Sequence, residues 1–149
     1  MVKILFLCHG NICRSPMAEY VCKQMAKGQK VYIESKAVSR EELGNGIYPP
    51  AAAVLRQNGV PFGAHRSRQV TAEDYHTFDY IVIMEEYNRP RLMRIIGEDP
   101  KGKVCRLLDF TDTPGDIEDP WYSGNFERVY NQICEGCAAL LQHIKENAK

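Results

Sequence analysis

Eight consecutive residues near the start of the chain, Cys8-His9-Gly10-Asn11-Ile12-Cys13-Arg14-Ser15, bring a thiol and a guanidinium into one short loop. Arg14 offers a planar fork of donors that matches two oxygens of one phosphate. Ser15-Pro16 reads as a helix N-cap followed by proline at the first helical position. The loop therefore runs into a helix N-terminus, where unpaired N–H groups attract an anion. The same positive field favours the thiolate of Cys8 over its thiol. A thiolate at the base of an anion cradle is suited to attack on phosphorus. His9, Gly10, Asn11, Ile12, Cys13, Arg14 and Ser15 are thus the expected phosphate-binding residues. An NTPase phosphate loop does not fit, because the second glycine and the Lys-Ser/Thr ending are absent. A Cys8 that merely closes a buried strand, with Arg14 paired at the surface, is the plain structural alternative.

The flanking pattern says what must hold this loop. Val2 to Leu7 is a near-continuous apolar run broken only by Lys3, as in a strand covered on both faces. Ala18, Val21, Cys22 and Met25 follow at helical spacing, and Gly28 ends that pattern. Further strands are expected over Val31–Ser35, Phe78–Met84 and Val104–Leu108, with helices over Ala51–Asn58 and Glu86–Ile96. Phe126, Val129, Tyr130, Ile133, Cys137, Leu140, Leu141 and Ile144 mark a long C-terminal amphipathic helix. Strands alternating with helices imply an α/β fold, a parallel sheet with helices on both faces. Such sheets bind ligands at the carboxyl ends of their strands, which is where Cys8 to Ser15 falls.

The 149 residues, with no linker, repeat or low-complexity segment, fit a single domain over 1–149. Nineteen basic residues balance 19 acidic ones, so no strong field draws the chain to nucleic acid or to an anionic membrane. No apolar run approaches the roughly 20 residues needed to cross a bilayer. The run MVKILFLC meets His9 and Gly10 too early for a signal peptide. The six cysteines are therefore expected to be reduced thiols in a cytoplasmic protein. Cys134-x-x-Cys137 falls inside the C-terminal helix without a partner pair and reads as packing, so no metal is expected.

CHGNICRSP resembles the signature of the low-molecular-weight protein tyrosine phosphatases. The resemblance continues through SRQVT at Ser67–Thr71, FDYI at Phe78–Ile81, MEEYN at Met84–Asn88 and DPWY at Asp119–Tyr122. It implies a three-layer flavodoxin-like fold with a central four-stranded parallel sheet. It also implies Cys8 as nucleophile, Arg14 as phosphate-binding and charge-stabilising residue, and Asp119 as general acid and then general base. Residues alone leave Asp119 in competition with Asp109, Asp112, Asp116 and Glu118 of the same loop. What singles it out is the following Pro120, which stiffens the loop, and the aromatics Trp121 and Tyr122. Asn11, Ser15, Ser35 and His65 match the family's hydrogen-bond network beneath the phosphate loop; by itself, His65 reads as a surface histidine.

The resemblance further implies a phosphotyrosine-containing protein or peptide as substrate, inorganic phosphate as product, no cofactor and no metal. A monomer is the default. Ile12, Trp121 and Tyr122 are the expected pocket walls. Some relatives that act on phosphoarginine carry threonine where Ile12 stands, so isoleucine favours tyrosine. The family also implies a reversible disulfide between Cys8 and Cys13. The loop Ser39–Pro50 departs from the family pattern, in which an aromatic commonly stands near Glu41; Tyr48 is the candidate replacement. Thiol-dependent arsenate reduction on the same fold is a rival, but it needs a further cysteine on a mobile segment, and Thr71 to Asp99 contains none.

Overall fold

The computed structural model describes residues 1–147. The single domain expected over 1–149 therefore ends two residues beyond them. Its centre is a four-stranded parallel sheet of β1 (Val2–Cys8), β2 (Val31–Ala37), β3 (Tyr80–Ile83) and β4 (Val104–Arg106), in the order β2-β1-β3-β4. The helices are α1 (Arg14–Met25), α2 (Pro49–Gln57), α3 (Asp74–Thr77), α4 (Asn88–Ile96), α5 (Pro120–Ser123) and α6 (Phe126–Asn147). A single 3-10 turn, Leu107–Phe110, follows β4.

Strand β1 explains the layering. Ile4, Leu5, Phe6 and Leu7 are all fully buried, because alternate side chains enter different cores. Ile4, Phe6 and Cys8 join one cluster with Met17 and Val21 of α1 and Ile133 and Leu140 of α6. Leu5 and Leu7 join the other with Tyr75 of α3 and Leu92 of α4. The α6 layer lies close: a Cβ at Gly136 would fall 2.4 Å from Leu107 Cγ, so only glycine fits without movement.

The chain leaves β1 for β2 on one side and reaches β3 on the other. The carboxyl end of β1 is therefore the topological switch point, where open α/β sheets leave a crevice. Cys8 is its last residue.

Several boundaries differ from those expected. Helix α1 begins at Arg14 with Cys13 at its N-cap, not at a Ser15 cap. The Ser15 hydroxyl is occupied elsewhere, as described below. The helix α2 begins at Pro49. The last strand stops at Arg106, where the backbone tightens into the 3-10 turn. The short helix α5 falls in the loop that carries Asp119, and α3 in a stretch for which no element is expected; at four residues each they are too short to show a helical period. No helix among the described residues is long and apolar enough to cross a membrane.

Candidate active site

The peptides of the loop after β1 are held by their carbonyl ends. Cys8 O accepts from Val38 N (3.0 Å), and His9 O from Ser39 N (3.1 Å). His9 O also accepts from Ser39 Oγ, and Gly10 O from Ser67 Oγ, each at 2.8 Å. Asn11 O takes the Nε2 proton of His65 at 2.7 Å, and Ile12 O accepts from Tyr48 N at 2.9 Å. In a trans peptide the N–H points opposite to the C=O. Fastening these carbonyls outside therefore turns the following amides inward, where a cup of N–H donors suits an anion.

Cys8 Sγ sits in this cup. It accepts from Asn11 N at 3.2 Å and from Ser15 N, in the first turn of α1, at 3.4 Å. The Ser15 hydroxyl lies 3.0 Å from the sulfur. Asn11 is the only non-glycine with positive φ among the described residues, at 58°. Asparagine tolerates this left-handed conformation because its side chain can bond locally. Here Asn11 Nδ2 donates to Ser15 Oγ (2.8 Å) and Ser35 Oγ (3.0 Å). Ser35 in turn donates to Glu19 Oε1 at 2.6 Å, and Glu19 is paired with Lys23. The expected network of Asn11, Ser15, Ser35 and His65 is thus contiguous, with Glu19 as an unforeseen anchor. His65 is buried, not at the surface. Burial is the main cause that lowers its pKa, opposed by its bond to the Asn11 carbonyl.

Arg14 is 1% exposed and gripped from three sides. Nη1 donates to Ile117 O at 2.9 Å and lies 3.1 Å from Glu85 Oε1; Nη2 lies 3.4 Å from Asp119 Oδ2. Asp119 caps α5, its Oδ1 accepting from Trp121 N at 3.0 Å, with Pro120 at the first helical position. The cap fixes the carboxylate and swings Trp121 toward the same cleft. The Asp119-Pro120 pair suits a helix start, as cap and first helical residue, whereas Asp99-Pro100 opens no helix.

The cleft is lined by Cys8, Ile12, Cys13, Arg14, Asp119, Trp121 and Tyr122, together with His9, Gly10, Glu41 and Glu42. Ile12, Trp121 and Tyr122 are therefore all at the wall, although Tyr122 is largely exposed. The departing loop supplies Glu41, hydrogen-bonded to His9, and Glu42, whose Cγ would lie 3.0 Å from a Cβ at Gly10. Tyr48 does not line the cleft. Its ring packs on Trp121 from behind, centroids 4.5 Å apart. Cys13 is buried beside Cys8, and burial above all pushes its thiol well above the usual range.

A model of the low-molecular-weight phosphotyrosine protein phosphatases matches residues 3–149. The chain belongs to this family. YfkJ of Bacillus subtilis, a low-molecular-weight protein-tyrosine-phosphatase, is 37% identical, covering 98% of this chain and 97% of that protein. Its crystal structure superposes with a TM-score of 0.95 over 100% of this chain and 98% of that one, at 35% identity. PtpA of Staphylococcus aureus, another such phosphatase, is 34% identical over 99% of this chain and 97% of its own length. A Drosophila arginine phosphatase also superposes, at 31% identity and a TM-score of 0.87, covering 98% of this chain and 99% of that one. A phosphatase of this family acts on phosphoproteins, and the flavodoxin-like sheet described above is the fold this chain shares with its relatives.

Proposed function

We propose that this chain hydrolyses phosphotyrosine in proteins or peptides by way of a phosphocysteine on Cys8. The observation that carries the reading is the sulfur itself: Cys8 Sγ accepts two backbone N–H bonds in the cleft that Arg14 and Asp119 also line. The amides of residues 9–15 and the Arg14 guanidinium bind the phosphoryl oxygens and hold the charge that grows on them during transfer. The Cys8 thiolate attacks phosphorus, the bond to the tyrosyl oxygen breaks, and Asp119 gives its proton to that oxygen. Asp119, now a carboxylate, takes a proton from a water molecule as the water oxygen attacks phosphorus of the phosphocysteine. The S–P bond breaks, inorganic phosphate leaves and the thiolate returns. Arginine and amides supply the positive charge for which other phosphoryl transferases use a metal. In support of the covalent step, the structural relative YwlE, an arginine phosphatase, is known as a cysteine-to-serine mutant with a phosphorylated active-site serine.

Ser15, Asn11, Ser35 and His65 act in this reading as positioning residues for the loop. Ile12, Trp121 and Tyr122 form the walls of an apolar slot that a phenyl ring fills and a phosphoserine side chain is too short to reach. Cys13 is the partner for reversible oxidation of Cys8. The protein works as a cytoplasmic monomer on phosphoprotein substrates, with no cofactor. Phosphoarginine is the second reading, favoured by the two arginine phosphatases among the structural relatives; Ile12 in the wall favours tyrosine.

Turnover of p-nitrophenyl phosphate, phosphotyrosine peptide and phosphoarginine peptide by wild type, Cys8→Ser and Asp119→Asn tests the reading. Cys8→Ser should be inactive. Asp119→Asn should lose about a hundred- to ten-thousand-fold on the phosphotyrosine peptide, and less on the acidic nitrophenol leaving group, which needs less protonation. Turnover by Cys8→Ser would overturn the mechanism, and equal rates on the two peptides would overturn the specificity.

A further inference from the structure

We infer that Ser67 is a positioning residue for phosphoryl transfer, holding the peptide between Gly10 and Asn11 with its N–H aimed at Cys8. The inference rests on the reading above and deepens it. Ser67 is buried, 3% exposed, in the segment between α2 and α3. Its hydroxyl donates to Gly10 O at 2.8 Å, from outside the loop. At the other end of the same peptide, Asn11 N–H donates to Cys8 Sγ at 3.2 Å. One peptide plane is thus pinned by a hydroxyl on one edge and by the reacting sulfur on the other.

The pin is needed because the plane has a reason to turn over. Asn11 holds φ at +58°, which is unfavourable for a residue with a side chain. Rotating the Gly10–Asn11 peptide would carry φ of Asn11 toward ordinary negative values, and Gly10, lacking Cβ, offers little steric resistance. The rotated plane would present the Gly10 carbonyl oxygen to the sulfur, repelling a thiolate and removing a donor from the bound phosphoryl group. The neighbouring carbonyls have backbone or ring donors: Val38 N for Cys8, Ser39 N for His9, His65 Nε2 for Asn11 and Tyr48 N for Ile12. For Gly10 the donor is the Ser67 hydroxyl. Ser67 is itself fixed by the rim loop, its N–H donating to Asn45 O at 2.8 Å and its carbonyl accepting from Gly44 N at 2.9 Å. The same residue therefore couples the rim loop to the floor of the cup.

Ser39 provides the internal comparison. Its hydroxyl also bonds a loop carbonyl, that of His9 at 2.8 Å, but its own N–H bonds the same oxygen. Removing the Ser39 hydroxyl leaves that carbonyl held; removing the Ser67 hydroxyl leaves the Gly10 carbonyl without its donor.

The test compares Ser67→Thr, Ser67→Val and Ser39→Ala with wild type. Threonine and valine have the same shape, and only threonine keeps the hydroxyl. The measurements are kcat/KM on p-nitrophenyl phosphate, inhibition by vanadate, the rate of Cys8 alkylation by iodoacetate at neutral pH, and Tm. Ser67→Val should lose about tenfold in kcat/KM and in vanadate affinity relative to Ser67→Thr, the loss of one hydrogen bond at the reacting group. Alkylation should slow in parallel, and Ser39→Ala should lose less than Ser67→Val. Equal kinetics and alkylation for the valine and threonine variants, both folded by Tm, would overturn the inference while leaving the phosphatase reading intact. A wild type inactive on aryl phosphate would instead remove the reading on which it rests.

Discussion

The carboxylate of Glu85 stands 3.1 Å from the Arg14 guanidinium, opposite the Asp119 carboxylate at 3.4 Å, so this buried cation is clamped between two acids from different loops. Only one of those acids is proposed to move a proton. Glu85, just after the end of β3, holds the guanidinium, and in the proposed mechanism it balances that charge while Asp119 changes protonation. A buried charge that loses its partner is costly and reorients. Glu85→Gln, which keeps size and hydrogen bonding but removes charge, should lower kcat/KM on aryl phosphates by about tenfold, equivalent to roughly 1.4 kcal/mol. Unchanged kinetics would mean that Ile117 and Asp119 suffice to orient Arg14.

Tyr48 backs Trp121 with ring centroids 4.5 Å apart and also reaches Phe126 at 6.0 Å. Aromatic pairs of this kind contribute about 0.5–1.5 kcal/mol beyond area burial. Tyr48→Ala should free Trp121 and raise KM for phosphotyrosine peptides by about fivefold, with kcat little changed. Tyr48→Phe should behave as wild type. A KM indifferent to both changes would show that Trp121 needs no support from behind.

Cys13 lies in the wall beside Cys8, and burial keeps it protonated. Peroxide would oxidise the Cys8 thiolate to a sulfenic acid; the Cys13 thiol then displaces the hydroxyl as water, and a disulfide forms. Inactivation by mild peroxide should accordingly be reversed by dithiothreitol in wild type and become largely irreversible in Cys13→Ser. Full recovery of the serine variant would exclude Cys13 as the resolving thiol.

His65 carries a pH prediction. Its pKa is lowered from the ordinary 6.5 chiefly by burial. The unfolded chain therefore binds more protons than the folded one below that value, and the sign follows: stability is fully present above about pH 6.5 and declines as pH falls toward the folded pKa. The neutral ring keeps its proton on Nε2 to donate to Asn11 O at 2.7 Å. Thermal denaturation between pH 7.5 and 5 should show wild type losing Tm more steeply than His65→Gln. Parallel Tm curves for the two proteins would assign the acid sensitivity to other groups.

What the sequence determined by itself was contiguous. The apolar run of β1, the loop Cys8 to Ser15 and the amphipathic α6 each declare themselves within one stretch of chain, because periodicity and cap chemistry are local. The residues proposed as nucleophile, phosphate-binding arginine and acid were accordingly legible there or, for Asp119, in the Asp-Pro-Trp-Tyr string that carries the family resemblance. Even within that stretch, the cap expected at Ser15 lies at Cys13: the helix starts two residues earlier with no side-chain cap, and the Ser15 hydroxyl turns to Cys8 and Asn11. The tertiary structure alone decided what holds those residues. Glu85 on Arg14, Glu19 on Ser35, Ser67 on Gly10 and Tyr48 behind Trp121 join segments far apart in the chain, and no spacing rule pairs them. Their partners are set by the sheet order β2-β1-β3-β4, which brings the loops after β1 and β3 to one crevice. A hydrogen bond reports on distance in space, whereas sequence pattern reports on distance along the chain, and only folding converts one into the other.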